Sequence, residues 1–539
     1  MTLASTQSYT LVGLNAVPVH IEADLSGGLP QFNLLGLPAQ AARESRDRVR
    51  VAIQNLGFGF PAGRVTVQLT AQESLECPAL ADLAIAAALL AAMGRIPVDA
   101  LAQHALLGQL SLSGALLPLD HERAWVQGAL ALEHPLILPP LRLEQPQGLG
   151  CPRLGSVESL SALVDFARGR RPLTPPPAHD PCRDASHRVQ ARPAPRWSAV
   201  EGHRPEAWDE ISGQALAKRA AIVALAGGHH LLMLGPPGVG KSMIAHRMSA
   251  LQPALEPEQA HALAAVQALE GLDCRATDAR IAPFRAPHHS ASAASLFGGG
   301  RPFRPGEISL AHGGLLFLDE LAEFRRDALE ALREPLETGS VQPARLQSRF
   351  IMPARAQLIA AMNPCPCGRL GSRRSHRPVC RCSVRQVQAY RAKLSAPLLD
   401  RFDLVILMQA LPSEPQGPDG EAASLTAQAP LFGGADWTGQ QARLAIQSVR
   451  ALARGRQPGL NAQLSEAELM RMPIDASARL LLKPLHTQGH WSRRALVGIL
   501  RVARTLADLA GQEAIDSAAL AQAVELRRGL QLMEAAEQA

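Results

Sequence analysis

A four-residue apolar run, Leu231-Leu232-Met233-Leu234, passes directly into Gly235-Pro236-Pro237-Gly238-Val239-Gly240-Lys241-Ser242, and no other segment restricts the folding of this chain so tightly. Those eight residues satisfy G-x-x-x-x-G-K-[ST] at every position. Such a loop works only between a buried strand and a helix. Its glycines let successive backbone N–H groups curve around a polyphosphate, and the helix behind it presents its positive end to the anion. The spacing therefore predicts an α/β unit that binds ATP, with Lys241 on the β/γ oxygens and Ser242 on Mg²⁺. A chance Gly-Pro turn would lack the strand and helix signals on either side.

A second apolar run, Leu315-Leu316-Phe317-Leu318, ends in Asp319-Glu320. Phosphoryl transfer demands charge neutralisation and positioning more than covalent chemistry. One carboxylate on the metal and one on the water are a sufficient pair, so Asp319 is expected to hold Mg²⁺ and Glu320 to polarise the attacking water.

At 539 residues, 47% of them hydrophobic, the chain is long enough for about three or four domains. No apolar run reaches the ~20 residues of a membrane span. The alanine-rich stretch 80–93 is too short, contains Asp82, and reads as a buried helix. No basic region precedes Leu3, so a signal peptide is not expected. These features point to a cytoplasmic protein with reduced thiols and no membrane partner. Strand-like and helical runs alternate over 1–168, and a Pro/Arg-rich linker follows at 169–206. The nucleotide-binding core is expected at 207–410, a flexible low-complexity segment at 411–437, and a helical unit at 438–539, where Leu496, Ile499, Leu500, Val502 and Leu506 recur at helical spacing.

The formal net charge of +6 decides little, but its distribution is uneven. Residues 369–393 hold seven arginines, one lysine and no acidic residue, interleaved with His376 and Tyr390. That composition is the electrostatic footprint of a polyanion partner. The pairs Cys365-Pro366-Cys367 and Cys380-Arg381-Cys382 bracket much of it, with twelve residues between them. Four thiolates so placed read as ligands for a structural Zn²⁺ that would staple a loop too polar to fold alone. The pairs are tighter than the usual C-x₂₋₄-C, and free reduced thiols are the other reading. Cys77, Cys151, Cys182 and Cys274 are scattered and read as ordinary packing or surface residues.

Several further segments carry a family resemblance. Gly28-Leu29-Pro30-Gln31-Phe32, Gly36-Leu37-Pro38 and Glu44-Ser45-Arg46-Asp47-Arg48-Val49-Arg50 are similar to the N-terminal Lon-protease-like domain of the YifB/ComM family of Mg-chelatase-like AAA+ ATPases. Phe284-Arg285-Ala286-Pro287-His288-His289, Pro305-Gly306-Glu307-Ile308-Ser309-Leu310-Ala311-His312 and Ala360-Ala361-Met362-Asn363-Pro364-Cys365-Pro366-Cys367-Gly368 match the family's core, and the likeness runs to about Arg528. The resemblance implies an α/β chain: an AAA+ P-loop ATPase core with a helical C-terminal lid, preceded by an α/β Lon-protease-like domain.

It also implies residue roles. Asn363 matches sensor 1, an amide that places the attacking water. Arg401, in Leu398-Leu399-Asp400-Arg401-Phe402-Asp403, matches the arginine finger, which acts on a neighbour's γ-phosphate and so requires an oligomer, expected to be a hexamer. Arg494, or Arg493 beside it, matches sensor 2. The family places a pore-facing element between Lys241 and Asp319, with Phe297-Gly298-Gly299-Gly300-Arg301 as a mobile tip, and a channel-lining hairpin carrying Arg345 and Arg349. His288-His289 has no partnered carboxylate or cysteine nearby in sequence, so a structural role is expected rather than a metal site. Where a Lon-type serine would fall the chain reads Glu76-Cys77-Pro78-Ala79-Leu80-Ala81, so peptidase activity is not expected.

Three functions fit this framework. A hexameric, ATP-driven motor on single-stranded or branched DNA, promoting branch migration in natural transformation and recombination, is favoured by the N-terminal domain and the four-cysteine basic insert. A metal-insertion ATPase subunit shares the core but generally lacks both. A Lon-related unfoldase or scaffold would need a protease site or peptide-gripping pore aromatics, and neither is evident.

Overall fold

The computed structural model describes residues 2–12, 15–71, 78–119, 122–129, 132, 134–141, 154–174, 204–270, 280–300, 303–342, 351–370, 380–409, 437–487 and 491–538. Cys77, Cys151, Cys182, Cys274, Arg301, Arg345, Arg349, the arginines within 371–379, and most of both low-complexity segments lie outside these residues.

Five parallel strands form the sheet that carries the phosphate loop. Leu404–Leu407, Leu231–Leu234, Gln357–Met362, Leu315–Leu318 and Phe284–Arg285 lie side by side in that order. A parallel sheet covered on both faces needs strands that are apolar throughout, and Leu231–Leu234 and Leu315–Leu318 are buried at every position. Alternate residues serve opposite faces. Leu231, Met233, Leu315, Phe317, Ile359 and Ala361 pack with the helix Ala215–Gly227 and with Leu496, Ile499, Val502 and Leu506 of the helix Arg493–Leu509. Leu232, Leu234, Leu316, Leu318, Leu358 and Ala360 pack instead with Leu321, Leu329, Tyr390 and Leu398.

Among the described residues from 437 onward every α or β element is a helix; all but the last share one apolar core with the first face of the sheet, and the last, Gly529–Gln538, places Met533 with the other face. A polar joint accompanies that core. His229 Nδ1 pairs with Asp403 Oδ2 at 2.9 Å, and its Nε2 meets Thr505 Oγ1 at 2.8 Å. Arg527 donates to the carbonyl of Phe402, and Ser492 Oγ donates to Asp400 Oδ2 at 2.9 Å. Burial alone would raise the Asp403 carboxyl, but its hydrogen bond and charge interaction with His229, with Arg501 and Arg527 nearby, hold it below its ordinary range.

The N-terminal region is a separate mixed sheet of seven strands in the order Gln31–Leu35, Arg64–Ala71, Asn15–Ser26, Thr2–Val12, Ala105–Leu106, Leu136–Leu138, Leu154–Ser156. Its central helix Asp82–Ala92 is buried along its whole length, as the alanine-rich stretch predicts. The single acid in that helix, Asp82, is satisfied by Ser45 and by Arg48 Nε at 2.7 Å, both on the helix Ala39–Asn55. Ala268 and Leu269 of the helix Pro257–Leu269 pack into a cluster with Leu107, Leu119 and Trp125, which joins this region to the half of the molecule built on the five-stranded sheet.

The joint at residue 403 generates a stability prediction. Asp403→Ala leaves His229 without its carboxylate and Arg527 with Asp400 alone as a counter-charge, and breaking a buried pair by removing one partner costs about 3–5 kcal/mol. Urea denaturation of the intact chain should show the transition of this region moved to a clearly lower midpoint.

Candidate nucleotide-binding site

The strand Leu231–Leu234 delivers the phosphate loop at the carboxyl edge of the sheet, and the helix Lys241–Met248 leaves it. Gly240, which caps that helix, sits at φ +96°, a left-handed conformation that a side chain would strain. Lys241 is 7% exposed, and its Nζ donates to Gly235 O at 2.6 Å, Pro236 O at 3.0 Å and Asn363 Oδ1 at 3.1 Å. Burial lowers this ammonium to about 8, against the opposing pull of the Asp319 and Glu320 carboxylates. Ser242 Oγ donates to Asp319 Oδ2 at 2.6 Å. Thus Lys241, Ser242, Asp319 and Asn363, which come from three adjacent strand ends, occupy one locus. A hydroxyl and a carboxylate in contact beside a lysine suit the hard, oxygen-ligated Mg²⁺ of a nucleotide complex.

Glu320 follows in a strained conformation. Its φ is +52°, and only it and Gln214 adopt positive φ among the described non-glycine residues. Asp319 Oδ1 accepts from the Glu320 backbone N–H at 2.9 Å, which helps fix the turn. The carboxylate of Glu320 lies 3.4 Å from His289 Nδ1, and the His289 ring lies against that of His288 with centroids 4.0 Å apart. The expectation that His288-His289 lacks a nearby carboxylate is therefore corrected: its partner is the residue expected to activate water, reached across the sheet rather than along the sequence.

Gln214 was not singled out by sequence. It ends the approach to the helix Ala215–Gly227 at φ +54°, and its Nε2 donates both to Val239 O at 3.1 Å and to Gln409 O at 2.9 Å. It thereby ties the phosphate loop to the end of the strand Leu404–Leu407. A Gly-Gln pair before a helix was the only local signal.

The arginines matched to the finger and to sensor 2 stand together elsewhere. Arg401 pairs with Glu337 Oε2, and Arg494 reaches Glu337 Oε1 at 3.1 Å. Burial, then the positive charge of Arg494, depresses the Arg401 guanidinium below its ordinary value. Arg493 diverges to Glu466 at 3.0 Å with its side chain 83% exposed. Among the described contacts, neither Arg401 nor Arg494 touches residues 235–242 of its own chain. Glu337, at the end of the helix Arg333–Thr338, was missed by sequence reasoning because it lies 64 positions from Arg401.

Cys365, Cys367, Cys380 and Cys382 converge so that their sulfur atoms all lie within 4.8 Å of one another. Cys365 Sγ is 3.4 Å from Cys367 Sγ and 3.7 Å from Cys380 Sγ, and the latter two are 3.5 Å apart. Four thiolates at Zn–S ≈ 2.3 Å in a tetrahedron stand about 3.8 Å apart, so the donor set and its spacing fit a soft divalent ion such as Zn²⁺. The basic segment around them is not a continuous loop. Ser383 and Gln386 form a capping box that starts the helix Val384–Arg391, with Val387 and Tyr390 buried. Tyr390 is 4% exposed in the core, so the reading of it as an aromatic interleaved in a polyanion-binding surface is corrected. Phe297 and the glycines after it are also structured: Gly298–Gly299 pairs with Arg304–Pro305.

Two measurements follow from this geometry. At pH near 8 the free protein holds Lys241 only partly protonated, and a polyphosphate favours the charged ammonium. Binding of MgATP should therefore take up a fraction of a proton at pH 8 and less at pH 7, with affinity falling as pH rises above 8; calorimetry in buffers of different ionisation enthalpy reads this directly. Protein purified without added metal should contain about one zinc per chain, reduced by Cys380→Ser.

Comparison with known proteins agrees with this arrangement. Residues 207–415 match the family model described as Magnesium chelatase, subunit ChlI; residues 21–140 match Subunit ChlI of Mg-chelatase; residues 437–527 match Magnesium chelatase, subunit ChlI C-terminal. The chain is 36% identical to the Competence protein ComM of Haemophilus influenzae over 538 residues, covering 99% of each. It is 36% identical to the protein YifB of Salmonella typhimurium, over 98% of this chain and 97% of that one, and 34% identical to YifB of Escherichia coli over the same shares. End-to-end similarity of this kind, together with a phosphate loop, an Asp-Glu strand end and a parallel sheet that gathers them, places the chain in the YifB/ComM family of Mg-chelatase-like AAA+ proteins.

Proposed function

We propose that this protein is a ring-forming ATPase, a hexamer, that works as a motor on single-stranded or branched DNA and promotes branch migration in natural transformation and recombination. The observation that carries the ring is the location of Arg401 and Arg494: both sit on Glu337 and away from their own phosphate loop. A site built from Lys241, Ser242, Asp319, Glu320 and Asn363 has the groups to bind nucleotide and orient water, and it gains transition-state cations when a neighbour presents its arginines. In that reading Lys241 binds the β/γ oxygens, Glu320 orients and deprotonates the attacking water with Asn363 beside it, and Arg401 takes up charge developing on the transferred phosphoryl group. Mg²⁺, held through Ser242 and Asp319, supplies charge neutralisation on the phosphates. The N-terminal mixed sheet is read as a Lon-protease-like domain without peptidase activity, and the C-terminal helices as the lid.

DNA as the substrate is supported by the end-to-end similarity to a competence protein and by the arginines of 369–393. Those arginines would meet phosphates rather than bases, giving salt-sensitive binding with little sequence preference. The competing metal-insertion reading draws on the descriptions of the matched family models, and one experiment separates the two. ATP hydrolysis is measured without DNA and with single strands, forked duplex and a four-way junction. A DNA motor should be stimulated several-fold, most by single-stranded or branched DNA; equal rates throughout would overturn the DNA assignment. Glu320→Gln should retain ATP binding and lose roughly 10²-fold or more of turnover. Arg401→Ala should also bind ATP yet lose about 10³-fold, and mixing it with Lys241→Ala subunits should recover activity at the hybrid interfaces.

A further inference from the structure

The four cysteines stand against the nucleotide site. The strand Gln357–Met362 runs straight into Asn363, which accepts a hydrogen bond from Lys241, and Cys365 follows two residues later, fully buried. The chain then turns tightly, Gly368 N donating to Cys365 O at 2.9 Å. Gly368 has φ +72°, and a Cβ there would lie 2.7 Å from Cδ and 3.1 Å from Cγ of Pro237, in the phosphate loop, and 3.7 Å from Cγ of Asn363. The cysteine turn is therefore pressed on the phosphate loop with no room for a methyl group. The second pair is tied to the same place. Cys382 is followed at once by the capped helix Val384–Arg391, whose Tyr390 hydrogen-bonds the backbone of Asn363 and whose Arg391 reaches Pro364 O at 3.5 Å.

We infer that the four-thiolate centre is a stay for the nucleotide site: an ion held by Cys365, Cys367, Cys380 and Cys382 fixes the turn 364–368 against Pro237 and so sets the amide of Asn363. The inference rests on the metal-ligand reading of the four cysteines. Joining residues 365 and 382 through an ion removes the loop-closure freedom of everything between them. Gly368, within that segment, is in contact with the phosphate loop. A metal that orders the turn and a nucleotide that orders the loop then favour the same arrangement, and each must raise the affinity of the other by the same factor. A metal that merely tidied a surface loop would show no such linkage. Asn363 is thus positioned through its chain neighbours, and nucleotide occupancy is sensed at sulfur.

The test uses the full-length protein after its zinc content has been measured. Zinc affinity is determined by competition with a chelator of known strength, with and without a saturating non-hydrolysable ATP analogue. Binding of the analogue is measured in parallel on loaded and metal-stripped protein. The expected result is a gain of about five-fold or more in zinc affinity with the analogue, the lower end of coupling between sites, matched by an equal loss of analogue affinity on stripping. Lys241→Ala, expected not to bind the analogue, should show no shift. Gly368→Ala should keep its zinc and lose most of the coupling. Should that variant fold poorly, Pro237→Gly opens the same contact from the other side and should do likewise. Loaded protein that binds both ligands with no mutual effect overturns the inference and leaves the metal centre standing. A chain that holds no zinc and cannot be loaded overturns both.

Discussion

A buried ammonium costs several kcal/mol unless polar groups converge on it, and here Gly235, Pro236 and Asn363 supply those oxygens to Lys241. The nucleotide site depends on that convergence. Two of the oxygens belong to the phosphate loop itself, but the third arrives only because the strand Gln357–Met362 lies directly beside Leu231–Leu234 in the sheet. The next strand over, Leu315–Leu318, brings Asp319 to Ser242 by the same logic. Strand order, which is a packing matter, thus determines which side chains can meet a phosphate.

What could be read from sequence follows from the range of each interaction. The phosphate loop and its strand were legible because motif, apolar run and helix are contiguous, and Leu496, Ile499, Val502 and Leu506 because a helix stripe repeats locally. Glu337 was not, since nothing near it distinguishes it from other surface acids until two arginines from remote segments close on it. The contact of His289 with Glu320 and the tie made by Gln214 were missed for the same reason, their partners lying far off along the chain. Tyr390 shows the opposite error. Its basic neighbours dominated the reading, whereas its spacing of three from Val387 was the better guide, both being buried on one side of a helix.

The segment Asp400-Arg401-Phe402-Asp403 concentrates several duties in four residues. Asp400 accepts from Ser492, Arg401 pairs with Glu337, the Phe402 carbonyl accepts from Arg527, and Asp403 pairs with His229. Three of these contacts bind the C-terminal helices or anchor the strand beneath them, and the fourth holds the arginine. A displacement of those helices therefore acts on Arg401 through its immediate chain neighbours and on Arg494 directly. The two cations are joined mechanically as well as through a shared carboxylate.

The common core of sheet and C-terminal helices has a consequence for biosynthesis. When the strand Leu404–Leu407 leaves the ribosome, the sheet can form beneath the helix Ala215–Gly227, but the apolar residues of that helix that pack against the C-terminal helices are still uncovered. Their cover arrives with the helix Arg493–Leu509, about a hundred residues later, roughly 5–20 s at ordinary rates of synthesis. Throughout that interval the nascent chain carries an apolar face that only its last hundred or so residues can cover.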